Sequence, residues 1–314
     1  WKTQMHQIDD SDGSDDDSVQ AFNWYDSTGR NIKTVGSSIM KTRYDRLGRA
    51  THSFVLARTD DPSPSSGTSY AAASTIVDDI VLEEMQTIYD DDDLVVMSVS
   101  VMRDPDDVGG SQTTGELDTN ADTDDLLVTA ANVSGRVDIA AFWYDDWRRQ
   151  VDTVNYGTYG GSNFDRDGLS VPARSDTALR TTTAFNDDGT VLSMTDPEGI
   201  ETRYAYDDLG RQITVISNYA DGSPGGGAND DEDQVVQTEY TDGLRTKLIA
   251  DLAGGGDDQE TIYTYGVAKG ASAGDSKIGS GRLLYKVQYP DSAGGSDVVT
   301  YAYNALGQTI WMKD

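Results

Sequence analysis

Any chemistry this chain performs has to be done largely with oxygen. Its 314 residues include no Cys and only two His, His6 and His52. Disulfides, thiol catalysis and Cys-ligated metal are therefore excluded, and a His-based centre has little to draw on. Carboxylates abound instead: 55 Asp and Glu face 24 Lys and Arg, for a net charge of −31. One cluster, Asp118-Thr-Asn120-Ala-Asp122-Thr-Asp124, sets oxygen ligands at alternate positions, as a calcium loop does. Thr123 stands where that loop needs its Gly, and Thr129 where it needs a bidentate Glu. Asp10-Ser-Asp12-Gly13-Ser-Asp15 is a second incomplete fragment of the same type. Ca2+ held weakly at extracellular concentration is the one cofactor this spacing suits, against the plainer reading of a solvated charge run.

Catalysis is not expected. Adjacent pairs such as Asp145/Asp146 and Asp187/Asp188 point to opposite sides of a strand and cannot flank one substrate bond. His52 falls in an expected strand and reads as a packed or exposed side chain. Asn132-Val133-Ser134 fits the short N-glycosylation pattern. The net charge repels phosphate, so no nucleic-acid partner is expected. No apolar run approaches the ~20 residues of a membrane-spanning helix, and no signal or transit segment is recognised.

The residues that would position such groups belong to a repeat. Tyr25-Asp26-Ser-Thr-Gly29-Arg30 recurs as Tyr44-Asp45-Arg-Leu-Gly48-Arg49 and as Tyr206-Asp207-Asp-Leu-Gly210-Arg211. Weaker copies start at Tyr89, Tyr144, Phe185 and Tyr303, the last keeping Gly307, and a shortened one starts at Tyr240. The closest starts are about twenty residues apart, which is the scale of a small repeated unit. Asp at the first turn position and Gly three residues on suit a type I turn closed by a left-handed residue, a common bulged hairpin connection. The copies at Tyr89 and Tyr144 carry Asp93 and Arg148 in place of that Gly, so their turns should differ in type or be strained.

Period-two alternation flanks the copies, as in Tyr204-x-Tyr206, Ile213-x-Val215 and Val95-x-Met97-x-Val99-x-Val101, and marks half-buried strands. Only 8 of the acids are Glu; the rest are Asp, which favours turns and caps over helix interiors. Tyr70–Tyr89 is compatible with an amphipathic helix, but strands are preferred for Val81–Tyr89, which leads straight into a copy. The fold expected is all-β: antiparallel hairpin repeats stacked into a curved or spiralling sheet over 1–314. An acidic lead-in occupies 1–19. Asp-, Gly- and Ser-rich insertions near 60–68, 104–125, 220–233, 251–258 and 269–281 should project as solvated loops.

These hexapeptides, with the longer phrase Thr195-Asp-Pro-Glu-Gly-Ile-Glu-Thr-Arg-Tyr-Ala-Tyr-Asp-Asp-Leu-Gly-Arg211, resemble the RHS/YD-repeat family over most of the chain from about Gln20. The resemblance implies long antiparallel sheets that spiral into a hollow shell, in large secreted or cell-surface proteins, some of which enclose a toxic C-terminal domain. The family's closing region, with its cleaving Asp residues, has no counterpart here. Asp196-Pro197-Glu198-Gly199 precedes an internal copy and reads as an ordinary inter-strand turn. The chain starts at Trp1 and reads as an excerpt of a longer array.

The Tyr, Asp, Gly and Arg of each copy are expected to build the corner, with Arg pairing to acids or stacking on Tyr faces. The function expected is non-enzymatic: a stiff β wall, shell or fibre, extracellular or at the cell surface. Its partners would be neighbouring repeats of the same longer chain, or identical chains. Two alternatives stand beside this, a cocoon around a toxin domain encoded farther along and calcium-assisted adhesion to glycans or cells.

Overall fold

The structure, a computed structural model, describes residues 2–7 and 18–21 by backbone alone, and residues 22–57, 73–104, 114–119, 126–129, 133–220, 232–251, 258–290 and 297–313 in full. The chain divides into two compact units, Trp1–Arg180 and Thr181–Asp314. The first contains β1 (Lys2–Gln7), β2 (Ser18–Tyr25), β3 (Asn31–Val35), β4 (Ile39–Tyr44), β5 (Ala50–Leu56), β6 (Val81–Tyr89), β7 (Val95–Met102), β8 (Leu127–Val128), β9 (Arg136–Tyr144), β10 (Gln150–Gly157) and β11 (Phe164–Asp165). The second begins inside β12 (Leu179–Phe185) and continues through β13 (Val191–Thr195), β14 (Glu201–Tyr206), β15 (Gln212–Ser217), β16 (Gln234–Thr241), β17 (Leu244–Ala250), β18 (Gln259–Val267), β19 (Ser280–Gln288), β20 (Val298–Tyr303) and β21 (Thr309–Lys313).

The fold is all-β and antiparallel, as the alternation implies. In the first unit β1 to β7 pair in chain order, then β7 with β9 and β9 with β10. The short β8 and β11 form a separate two-stranded ribbon. In the second unit β12 to β21 pair consecutively without a skip. The stretch 81–89, where a helix competed, is β6, and its side chains alternate between buried and exposed as β-branched and aromatic residues do on a half-covered sheet. β1 lies within the stretch read as an acidic lead-in.

A contiguous apolar cluster lies in the first unit: Phe54, Leu56, Val81, Ile88, Met97, Val99, Val101 and Ile139 from the sheet, with Ile76, Leu117, Val128 and Phe164 from the segments laid over it. This corrects the expectation of a solvated loop at 104–125, because Leu117 is fully buried and Asp118 nearly so. The physical reason is burial. Leu117 and Val128 each remove apolar surface from water by covering the sheet face, worth roughly 1.5–3 kcal/mol per side chain. The 269–281 insertion is also partly folded back, with buried Ser276 accepting from the Tyr303 N–H at 3.1 Å. The insertions at 60–68, 221–231 and 252–257 fall outside the described residues.

In the second unit the buried apolar residues, Val235, Val267, Val287, Ala302 and Tyr303, are spread over β16, β18, β19 and β20. Most side chains on both faces of that sheet are half-buried. Ladder hydrogen bonds and cross-strand pairs therefore carry more of its cohesion than a packed second layer does.

Candidate functional site: the repeated turn clasp

The hexapeptide copies form one piece of geometry, used repeatedly. In the Tyr25 copy the Asp26 N–H donates to the Arg30 carbonyl at 2.9 Å and the Gly29 N–H to the Asp26 carbonyl at 3.1 Å. The same pair of bonds recurs at Asp45, Asp90, Asp145, Asn186, Asp207 and Asn304, and also at Asp196, so that Asp196-Pro197-Glu198-Gly199 is an inter-strand turn of the same kind. Each YD-type copy carries a register shift beside its aromatic residue, as at Trp24/Tyr25, Arg43/Tyr44, Ile88/Tyr89, Ala205/Tyr206 and Ala302/Tyr303. This is the three-residue bulged hairpin that Asp and Gly at those positions specify. The shortened Tyr240 copy uses a two-residue Asp242-Gly243 turn instead, with φ of 52° and 78°.

The Asp side chain ties the corner together. Asp26 Oδ1 accepts the Thr28 and Arg30 N–H groups, both at 2.9 Å, while Oδ2 accepts the Arg30 Nε at 2.6 Å. Asp45 with Arg49, Asp145 with Arg149 and Asp207 with Arg211 repeat the Asp–Arg pair at 2.6–2.7 Å. Where Arg is absent, two copies change both partners: Asn186 donates to Thr190 Oγ1 and Asn304 to Gln308 Oε1. An amide supplies the donor that a neutral acceptor needs. The Asp26, Asp45 and Asp145 carboxyls feel burial pushing their pKa up, but the hydrogen bonds from the following Arg and backbone N–H groups outweigh it and hold them below the ordinary value. Asp207 is held low chiefly by its Arg211 hydrogen bond.

Arg and Tyr then join one corner to the next. The Arg30 guanidinium lies 4.9 Å from the Tyr44 ring centroid, Arg49 4.5 Å from Tyr89, and Arg211 4.3 Å from Tyr240. Arg30 Nη1 donates to the Asp45 carbonyl and Arg49 Nη1 to the Asp90 carbonyl, both at 3.3 Å. In return the Tyr44 hydroxyl donates to the Asn31 carbonyl at 2.8 Å, Tyr89 to Ala50 at 3.1 Å, Tyr144 to Val95 at 2.8 Å and Tyr303 to Leu284 at 2.8 Å. The expectation that Arg pairs with acids or stacks on Tyr holds on both counts. Sequence reasoning missed that its acid is the Asp of its own turn and its Tyr that of the following copy.

Asp93 and Arg148 adopt the conformation of the missing glycine, each at φ 64°, with the turn bonds intact. Their turns are thus strained, and the type is unchanged. Of the calcium candidates, Asp118 lies buried, its backbone N–H directed at Glu84 and its carboxylate 3.4 Å from Gln86 Nε2. Asn120, Asp122 and Asp124, the 10–15 fragment and Asn132 fall outside the described residues. Within the second unit a depression of about 480 Å³ is lined by Lys269, Asp275, Tyr285, Tyr301 and Trp311, among others.

Fold and clasp together define a β-meander repeat protein whose corners share one recurring geometry. Residues 185–224, which include the Asn186, Asp196 and Asp207 turns, match the family model described as RHS Repeat. The resemblance to the RHS/YD-repeat family carried by the hexapeptides is thus met by a family model over that 40-residue stretch. No curated protein matches it. Among solved structures it is similar to TcdB2-TccC3-Cdc42 and to TcdB2-TccC3, each at 13% identity over 90% of this chain and 16% of that chain, with a TM-score of 0.33. A Photorhabdus luminescens Tc holotoxin pore matches over 95% of this chain and 18% of that chain, at 13% identity and a TM-score of 0.20. The chain therefore spans less than a fifth of the length of these solved chains. No helix among the described residues is long and apolar enough to cross a membrane.

Proposed function

We propose that the chain is a non-enzymatic wall segment of an extracellular or cell-surface YD-repeat protein, its task being to form a stiff, protease-resistant sheet. The observation that carries this reading is the clasp: at Asp26, Asp45 and Asp207 the carboxylate holds the Arg of its own turn, and that Arg lies over the Tyr of the next copy. Side chains so engaged stiffen a stack by linking each repeat to its neighbours. The resemblance to the family adds a finer version, in which such a wall encloses a toxic cargo domain.

Limited proteolysis tests the wall reading. Trypsin should spare strand positions such as Arg203 and Lys247 under native conditions and cleave them readily in urea. Cleavage at those sites as fast in buffer as in urea would refute a stiff wall. Adhesion is a second reading, supported by the aromatic and acidic depression around Tyr285, Tyr301, Trp311 and Asp275, since sugars stack on such rings. A glycan array read with and without chelator decides this: no binding in either condition removes it.

A further inference from the structure

The covered face of the first unit carries polar side chains where its alternation calls for apolar ones. Lys41 and Arg43 on β4, His52 on β5, and Glu84 and Gln86 on β6 share the face of Phe54, Leu56 and Ile88. Most are satisfied. Lys41 pairs with Asp79 and Arg43 with Glu116, and Glu84 accepts from Gln86 Nε2 at 3.0 Å and from the Leu117 N–H at 2.6 Å. His52 is the exception. It is 3% exposed and stacked 5.7 Å from Phe54, its Nδ1 is engaged by Thr51 Oγ1 at 3.2 Å, and its Nε2 has no hydrogen-bond partner. A buried ring nitrogen left without a partner is uncommon and calls for a cause.

A ring nitrogen of His52 and one carboxylate oxygen each from Glu84 and Glu116 lie within 4.8 Å of one another. We propose that these three side chains bind a divalent first-row transition ion, with Zn2+ as the test ion, through His52 Nε2, Glu84 and Glu116. One imidazole and two carboxylates form a mixed nitrogen and oxygen set of the type Zn2+ accepts, with water in the remaining position. Bond lengths near 2.0–2.2 Å require the three atoms to draw together by roughly 1 Å, within reach of side-chain rotation by Glu116, which is only half-buried. Thr51 at Nδ1 fixes the imidazole as an outer hydrogen bond does in metal sites. Arg43 keeps one oxygen of Glu116 while the other turns to the ion. His52 and Glu84 belong to the sheet and Glu116 to the segment laid over it, so the ion would fasten that cover in place.

The test uses the whole 314-residue chain, stripped with chelator and titrated calorimetrically with Zn2+ in millimolar Mg2+, which occupies the exposed acids. One equivalent should bind and raise the melting temperature. Glu116→Gln, at a half-exposed position, should keep its circular dichroism and bind at least about tenfold more weakly. His6→Gln should bind as the parent does. In that variant His52 is the one histidine remaining, so its imidazole nitrogen resonances report directly: Zn2+ should shift Nε2 much more than Nδ1. Absence of a stoichiometric site, undiminished binding by Glu116→Gln, or unmoved His52 resonances would each overturn the assignment.

Discussion

At the scale of single residues, the turns hold a controlled comparison that the chain has made for itself. Gly29, Gly48, Gly189, Gly210 and Gly307 take the left-handed position with φ between 74° and 90°, whereas Asp93 and Arg148 take it at 64° with a side chain. A left-handed non-glycine residue costs about 1–2 kcal/mol, and glycine gives back about 0.5–1 kcal/mol through its unfolded-state entropy. Arg148→Gly should therefore raise stability by up to about 1 kcal/mol, read from the urea midpoint. Asp93 is a poorer place for this change, because its Oδ1 accepts from Arg49 Nη1 at 2.7 Å. In the other direction, a Cβ on Gly210 meets nothing within 4 Å, so Gly210→Val should lose about 1–2 kcal/mol from backbone strain alone. An unchanged midpoint in Gly210→Val would show that the corner relaxes around the substitution.

The same corners give a pH dependence. Asp207 titrates below its ordinary 3.8 in the folded chain because Arg211 and the backbone N–H groups favour the carboxylate. A depressed folded pKa adds stability that is complete above the unfolded value and disappears as pH falls through the folded one. The stability difference between the parent and Asp207→Asn should thus be largest above about pH 4.5 and shrink toward pH 2, as measured by urea unfolding at each pH. A difference independent of pH would mean the carboxylate's charge contributes nothing at this corner.

At the scale of strands and hairpins, corner-to-corner linkage depends on the Tyr hydroxyls. Tyr144→Phe removes only the bond to the Val95 carbonyl and leaves the ring in place, so a loss near 1 kcal/mol is expected, the usual net worth of one hydrogen bond. Tyr303→Phe should behave alike in the second unit, through Leu284. Hydrogen exchange at the Val95 and Leu284 neighbourhoods would locate the effect; a loss spread evenly over the sheet would argue against local linkage. These strands and corners were legible from sequence because both signals are local: alternation fixes the pleat, and Asp with Gly fixes the turn. The cover over the first sheet was not legible. Leu117 is one apolar residue in an Asp- and Gly-rich stretch, and its burial depends on a sheet assembled from residues far away in the chain. A readable trace did exist, since Lys41, Arg43, His52, Glu84 and Gln86 fall on the parity that Phe54 and Ile88 assign to the interior. Polar residues at core parity call for partners, and those partners had to come from an insertion. The linkage of Arg to the next Tyr was likewise hidden, because it joins copies whose spacing varies with the inserted loops.

At the scale of the whole molecule, the net charge of −31 opposes the local ion pairs in how stability should respond to salt. The Asp–Arg pairs at the corners are held at 2.6–2.7 Å by directed hydrogen bonds, and contacts that short are weakly screened. Repulsion among the surplus acids acts between exposed groups over longer distances, and the screening length of about 10 Å at 0.1 M salt removes most of it. Screening should therefore relieve more destabilisation than it removes stabilisation. The melting temperature is expected to rise as NaCl goes from about 10 to about 200 mM, with KCl giving the same curve. A fall over that range would show that the corner ion pairs outweigh the surplus charge. Because monovalent screening does not distinguish one acid from another, an additional rise with micromolar Zn2+ at fixed ionic strength would separate site occupancy from general relief of repulsion. That increment should persist in His6→Gln and vanish in Glu116→Gln, whereas the NaCl response should be nearly the same in all three chains.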